Sequence, residues 1–241
     1  MKQTNFLKDF IEDCRYYDHE QKEVKHILKS VDLRGKTVLD VGAGIGRLAF
    51  PLARYAKEVV AVDQDRRLSP YWKLHGRKNV TFVNTTVEQY LKNRKKFDVI
   101  LLAWPTLDFR IFSSLKKAMH EKSIFILFMC ADDSDFESVV DKIGIVRKSH
   151  FSKSIKRKQR FLKHLLSAFS WIRKDKVKTS YIYPNEYVAF RILKNGFRMW
   201  YALTLHNKAE ENLKKIIHRH KRGKKIVFQE EDWFYLFKHA G

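Results

Sequence analysis

Cysteine is almost missing. Cys14 and Cys130 are the only two among 241 residues, too few and too widely spaced for a disulfide framework or a cysteine-built zinc site. This scarcity suits a reducing compartment, so a cytoplasmic location is expected. Long apolar runs are missing too. The longest, at residues 99–105 and 124–131, are strand-sized and far short of the roughly 20 residues that span a bilayer, so no transmembrane helix is expected. Residues 1–14, MKQTNFLKDFIEDC, bring in Asp9, Glu12 and Asp13 before a signal-peptide core could develop. Acids are scarce relative to bases: 27 Asp and Glu stand against 49 Lys and Arg, for a formal charge of +22. Hydrophobic residues still make up 44% and aromatics 14%, enough for a packed core, which excludes disorder of the whole chain.

The charge is uneven. Residues 147–178 hold twelve basic residues and one acid, a net of +11, and residues 208–225 hold eight basic residues and two acids, a net of +6. The first 146 residues are nearly balanced. An excess of this kind bears on partners and solubility rather than on fold, so the chain reads as an ordinary domain followed by a basic elaboration.

Residues 21–31 carry Val24, Ile27, Leu28 and Val31 at helical spacing. Strand-like and helix-like segments then alternate strictly. Strands are predicted at 37–41, 58–62, 80–83, 97–103 and 123–130. Helices are predicted at 45–55, 66–75, 87–95 and 108–120. The strands are near-continuous apolar runs, as a sheet covered on both faces requires, and the alternation points to right-handed βαβ units in a doubly wound parallel sheet. Later strand character is confined to 197–206 and 225–238, separated by a Lys-rich helix over 207–222 with Leu213, Ile216 and Ile217 as its apolar stripe. Another helix is expected over 185–194, ending near Gly196.

The most specific feature is Asp40-Val-Gly42-Ala-Gly44-Ile-Gly46, between the first strand and the following helix. Glycines there let the backbone turn sharply and approach a ligand closely, and a helix amino terminus offers unpaired N–H groups. A dinucleotide fingerprint would carry its third glycine at position 47, which is Arg here.

This segment resembles the first motif of the class I S-adenosylmethionine-dependent methyltransferases. The resemblance covers residues 20–131, and the two late strands agree with the family's antiparallel last pair. It implies an α/β fold with a doubly wound, seven-stranded, mostly parallel sheet whose last strand is antiparallel. It also implies S-adenosylmethionine as cofactor. The methionine portion would lie against Asp40, Gly42, Ala43, Gly44 and Gly46. A carboxylate beside that loop suits a ligand bearing an ammonium and a sulfonium, where a pyrophosphate would be repelled. Asp63, at the tip of the second strand with Gln64 beside it, matches the family's ribose-binding acid, and a carboxylate can accept from both hydroxyls at once. Thr86 and Val87 occupy the adenine-contacting register, with Thr86 where an acid is usual. Ala103, ending the fourth strand, completes the expected cofactor contacts.

Residues 102–106, LAWPT, stand where exocyclic-amine methyltransferases carry Asn or Asp, then Pro-Pro and an aromatic. That motif is absent, which disfavours such an activity, and Trp104 reads either as a pocket wall or as core. No cysteine has a nucleophilic setting, Cys130 reads as a packed thiol, and no catalytic base stands out. His218 and His220, two apart on a helix, point away from each other and do not suggest a metal site.

The expected organisation is an N-terminal helical segment (1–32), a cofactor-binding core (33–145), a basic helical insertion (146–181) and completion of the core by two strands (182–241). In the insertion a helix over 151–172 carries Ile155, Leu162, Leu165, Leu166, Phe169 and Ile172 at helical period, with cations crowding its amino-terminal half. Three readings stand open. One is a cap whose lysines are merely solvated. Another is an RNA-binding edge with Phe161, Trp171, Tyr181 or Tyr183 stacking on a base. The third is contact with an anionic membrane surface. The acceptor is accordingly RNA or, alternatively, a small molecule or lipid. Tyr183, Tyr187 and Trp200 read either as acceptor-pocket residues or as core.

Overall fold

The computed structural model describes residues 6–105, 108–131, 135–143 and 148–240. Thr106, the start of the basic segment at Arg147 and the side chain of Ile155 lie outside what is described.

Two helices, α1 (Phe6–Tyr16) and α2 (Lys22–Ser30), precede the alternating region. That region comprises β1 (Thr37–Val41), α3 (Ala49–Leu52), β2 (Glu58–Asp63), α4 (Ser69–His75), β3 (Val80–Asn84), α5 (Val87–Tyr90), β4 (Phe97–Ala103), α6 (Ile111–Lys117) and β5 (Met119–Cys130). It is followed by α7 (Asp135–Lys142), α8 (Lys148–Ala168), β6 (Phe169–Tyr183), α9 (Glu186–Tyr201), α10 (Asn207–Arg219), the two-residue β7 (Lys221–Arg222) and β8 (Lys225–His239). The main path of the sheet runs β3-β2-β1-β4-β5-β8-β6, with β7 paired to β8 as an eighth, marginal member. The strands β1 to β5 pair in parallel, and the last strand runs antiparallel. The doubly wound, seven-stranded expectation holds, apart from the short β7 hairpin arm.

Two expectations need correction. Residues 197–201 are helical, not a strand. Asn185 caps α9 by accepting from the Val188 amide at 2.9 Å, and the buried stripe Ala189, Ile192, Leu193, Gly196 and Phe197 continues past the glycine. The helix stops where Ala202 takes a left-handed φ of +53°. The missing strand is β6, inside the segment expected to be a helical insertion. Val177, Thr179, Tyr181 and Tyr183 alternate there at period two, with Val177, Thr179 and Tyr183 buried. The 146–181 segment is therefore helix then strand, and 182–241 supplies one of the last two long strands rather than both.

The chain divides into two compact units. One comprises Met1–Glu23, Cys130–Phe151 and Val177–Asp232, and the other Val24–Met129, Ser152–Lys176 and Trp233–Gly241. In the first, Val139, Tyr183, Ile192, Phe197, Leu213, Ile217 and Phe228 belong to one buried cluster. There the Tyr17 hydroxyl donates to Asp232 Oδ2 at 2.6 Å, and Thr179 Oγ1 donates to the same oxygen at 3.1 Å. In the second unit, Leu39, Ile100, Phe112, Phe125 and Phe237 form a core that Phe161, Leu165 and Phe169 join from α8 and the start of β6. Burying three large side chains of α8 and β6 there removes each from water for about 1.5–3 kcal/mol. The apolar face of α8 thus packs into this core, while Lys156, Arg157, Arg160 and Lys163 of the same helix are exposed.

Candidate active site

β1 lies between β2 and β4, with Asp40 opposite Ala61 and Leu101. This central position buries the carboxyl, and burial lifts its pKa to about 7. Arg47 pulls the value down, Asp63 adds to the rise, and the Ala49 amide donates to the carboxyl. Asp40 Oδ2 is buried without a hydrogen-bond partner. A polar atom in that condition costs free energy unless something satisfies it.

Beyond β1 the chain folds over the end of β2: the Gly42 and Ala43 amides donate to Val62 O at 2.8 and 3.2 Å. Gly42, Gly44 and Gly46 have φ of +71°, +57° and +79°, a left-handed conformation that glycine adopts without penalty. This is the physical reason for glycine at every second position. A Cβ on Gly42 would meet nothing within 4 Å, so open space faces the backbone there. At Gly46 it would come within 2.6 Å of Trp72 Cη2 and 2.7 Å of Phe50 Cε2.

Asp63 ends β2 beside Asn84 of β3, at the same carboxyl edge of the parallel strands as the loop. Its Oδ2 accepts from the Gly44 amide and its Oδ1 from the Asp65 amide, each at 2.9 Å. Two of a carboxylate's roughly four acceptor positions are therefore engaged in shaping the loop. Gln64 beside it is exposed. Thr86 is exposed and caps α5, its hydroxyl accepting from the Gln89 amide at 3.2 Å, while Val87 is buried. The hydroxyl is a local capping device. Ala103 is half-buried at the end of β4, and Trp104 follows with φ of +57° and 39% exposure.

Sequence reasoning missed the aromatic wall behind the loop. The Trp72 indole N–H donates to Gly44 O at 2.8 Å, and the ring stacks on Phe82 at 4.7 Å and 7°. Phe50 lies against the same indole at 4.7 Å. A buried tryptophan needs an acceptor for its N–H, and Pro70 opening the short α4 that carries Trp72 was the available signal.

The loop region thus combines a turn stripped of side chains, a buried carboxyl with one oxygen lacking a partner, and an acid one strand over. Residues 38–123 match the family model of the methyltransferase domain. Over that span, about a third of its length, the chain is similar to the class I S-adenosylmethionine-dependent methyltransferases. Ubiquinone biosynthesis O-methyltransferase of Pelagibacter ubique is 33% identical over 99 residues, 40% of this chain and 35% of that protein. The enzyme of that name from Cereibacter sphaeroides is 37% identical over 70 residues, 28% of each chain. The likeness thus spans about a third of these relatives' length.

Among solved structures, a Bacillus halodurans protein described as a methyltransferase superposes with a TM-score of 0.58 at 15% identity, covering 91% of this chain and 99% of its own. The N-methyltransferase NodS of Bradyrhizobium japonicum, in complex with S-adenosyl-L-homocysteine, gives 0.53 at 11% identity over 98% of this chain and 100% of its own. At such identities the likeness concerns the fold.

The proposed aromatic contacts of the basic segment divide. Phe161 and Tyr183 are fully buried and cannot stack on a base, which corrects that expectation, and Tyr181 is partly buried. Trp171 is 60% exposed, near exposed Lys163, Arg173, Lys174 and Lys176 in sequence. The Lys174 ammonium sits 3.5 Å from the Trp233 ring centroid. Tyr187 and Trp200 are exposed on α9, Trp200 donating to Asp13 Oδ2 at 3.3 Å. Cys130 is half-buried. Among the described residues, no helix is long and apolar enough to cross a membrane, and no group of three or more His, Cys, Asp or Glu could hold a metal ion.

Proposed function

We propose that this chain transfers the methyl group of S-adenosylmethionine to RNA. The cofactor supplies an electrophilic methyl on a sulfonium, displaced in line by an acceptor lone pair. Asp40 receives the cofactor ammonium at its otherwise unsatisfied Oδ2, Gly42, Ala43, Gly44 and Gly46 hold the methionine portion, and Asp63 accepts from the ribose hydroxyls with Gln64 beside it. Val87, Thr86 and Ala103 border the adenine. Alignment of acceptor and methyl supplies much of the rate in such a displacement. A general base becomes necessary only for acceptors that hold their proton tightly.

The observation that carries the acceptor class is the cationic face of α8 and β6. Phe161, Leu165 and Phe169 are buried in the core, which leaves Lys156, Arg157, Arg160, Lys163, Arg173, Lys174 and Lys176 exposed together with Trp171. Cations with an interleaved exposed aromatic suit a single-stranded polyanion whose bases can stack. A second reading, a small-molecule or lipid acceptor, draws on the names of the ubiquinone biosynthesis O-methyltransferase relatives, whose matches are partial.

Incubating the protein with methyl-labelled cofactor and cell extract, then separating RNA from organic-soluble and low-mass fractions, tests both. Label in RNA supports the proposal. Label confined to the organic-soluble fraction overturns it in favour of the second reading.

A further inference from the structure

Helix α8 carries a cationic stripe at helical repeat. Lys156, Arg160 and Lys163 stand at i, i+4 and i+7, so they share one face, and all three are exposed. Phe161 and Leu165, on another face of the helix, are fully buried in the core beneath. Among the described residues, none of the three cations forms an ion pair. The neighbouring guanidiniums are engaged already. Arg157 acts on Asp108, Arg110 is tied to Asp108 and feels the Glu88 carboxylate, and Arg173 is tied to Asp175 at 2.6 Å.

One end of the stripe lies near the carboxyl end of β4. The Arg160 guanidinium is 5.0 Å from the Phe109 ring centroid, and Phe109 belongs to the connection from β4 to α6. β4 pairs with β1, the strand that carries Asp40 into the glycine loop. A fourth cation lies at the far edge of the sheet, on β6. The Lys174 ammonium sits 3.5 Å from the Trp233 ring centroid and 5.4 Å from that of Tyr235. Those two rings belong to or pack against the core that holds Phe161 and Leu165, so Lys174 is on the side of the sheet that α8 covers. A cation over an aromatic face is positioned without losing its charge. The order β1-β4-β5-β8-β6 puts four strand spacings between β1 and β6, about 19 Å at about 4.8 Å each.

We propose that a single strand of RNA crosses this side of the sheet over α8, held at one end beside β4 and at the other by Lys174. The phosphates of a stacked strand advance about 3.4 Å each along its axis, so about 19 Å takes about six nucleotides. An RNA shorter than that engages one end only. A longer one engages both, and each end raises the effective concentration of the other. The nucleotide to be methylated then lies at the β4 end of the bound stretch instead of its middle. This inference rests on the RNA reading of the acceptor.

The test uses the full chain and single-stranded oligoadenylates of 4 and 12 nucleotides. The 12-mer should bind at least about tenfold tighter than the 4-mer, since it alone reaches both ends. With four phosphates neutralised, its log affinity should fall against log salt with a slope of about −3, at about 0.7 per contact. Lys156→Gln/Arg160→Gln at one end and Lys174→Gln at the other should each cut the advantage of the 12-mer at least about threefold and make its salt slope shallower. An unchanged melting temperature shows that each variant is folded. Lys208→Gln/Lys215→Gln removes two exposed charges from α10 and should keep the advantage.

If RNA becomes labelled but the 12-mer gains nothing over the 4-mer, or only one end responds to substitution, the crossing is overturned and the RNA reading stands. If the α10 variant loses the advantage equally, the stripe is general surface charge and the crossing is overturned. If neither oligomer binds and label stays in the organic-soluble fraction, the RNA reading falls and takes the crossing with it.

Discussion

The Gly44 amide donates to Asp63 Oδ2 at 2.9 Å, so the acid at the tip of β2 ties down the loop that follows β1. One side chain thereby serves two purposes. Its engaged lone pairs fix the turn, and under the proposed function those remaining accept from the ribose. Asp63→Ala should remove the tie and two charge-assisted acceptors, each worth about 1.5–3 kcal/mol, and weaken S-adenosylmethionine binding by about 10² to 10⁴-fold. Asp63→Asn keeps one acceptor oxygen and should fall between. Calorimetric titration that finds Asp63→Ala equal to the native protein would remove the ribose assignment.

Asp40 gives the protein a pH dependence whose sign is fixed. Its folded pKa of about 7 lies above the ordinary carboxylate value. Between about pH 4 and 7, therefore, the folded apoprotein holds a proton that the unfolded chain has released, and stability falls as pH rises through that window. An ammonium beside Oδ2 favours the ionised form. Cofactor binding at pH 6 should then expel a proton, measurable by calorimetry in buffers of different ionisation enthalpy, and Asp40→Asn should abolish that release. Proton-neutral binding by the native protein at pH 6 would contradict the placement.

The loop after β1 and the acid that ends β2 were legible because their signals are local. Asp40, the glycines at 42, 44 and 46, and Asp63 are each dictated by backbone conformation or strand position, and both leave marks at fixed spacing. The wall formed by Trp72, Phe50 and Phe82 was not legible, because those rings come from three separate elements. In β6 the density of lysine and arginine obscured the alternation of Val177, Thr179, Tyr181 and Tyr183. Helix α9 was cut short because Gly196 reads as a stop. The glycine is buried, and its Cβ would meet nothing nearer than Trp200 Cδ1 at 3.8 Å, so the site tolerates glycine without needing it.

Alanine at two loop glycines should separate folding from binding. At Gly46 the left-handed φ costs about 1–2 kcal/mol, and the new methyl would press on Trp72 and Phe50, adding about 1–3 kcal/mol of overpacking. At Gly42 only the backbone cost applies, since the added carbon meets open space. Gly46→Ala should therefore lose more stability in urea unfolding. Gly42→Ala should lose chiefly cofactor affinity, because the methyl occupies the face the ligand approaches. Equal unfolding free energies for the two variants would mean that the aromatic wall yields freely.

Phe161 and Trp171 separate the structural work of the basic segment from its partner contacts. Phe161 is fully buried among Phe112, Leu165 and Phe169 in the core of its unit. Phe161→Ala should destabilise the protein by about 3–5 kcal/mol through the cavity it leaves. Trp171 is 60% exposed on β6, and Trp171→Ala should change stability by no more than about 0.5 kcal/mol. If the indole stacks on a base, worth about 1–3 kcal/mol, the same substitution should weaken single-stranded RNA binding by roughly 5- to 150-fold. Its loss removes no charge, so the slope of log affinity against log salt should stay constant while affinity drops. A changed slope would mean that the substitution had disturbed Arg173 and Lys174 instead. Unchanged RNA affinity would leave the cations as the only contact and remove the aromatic contribution from the proposed RNA face.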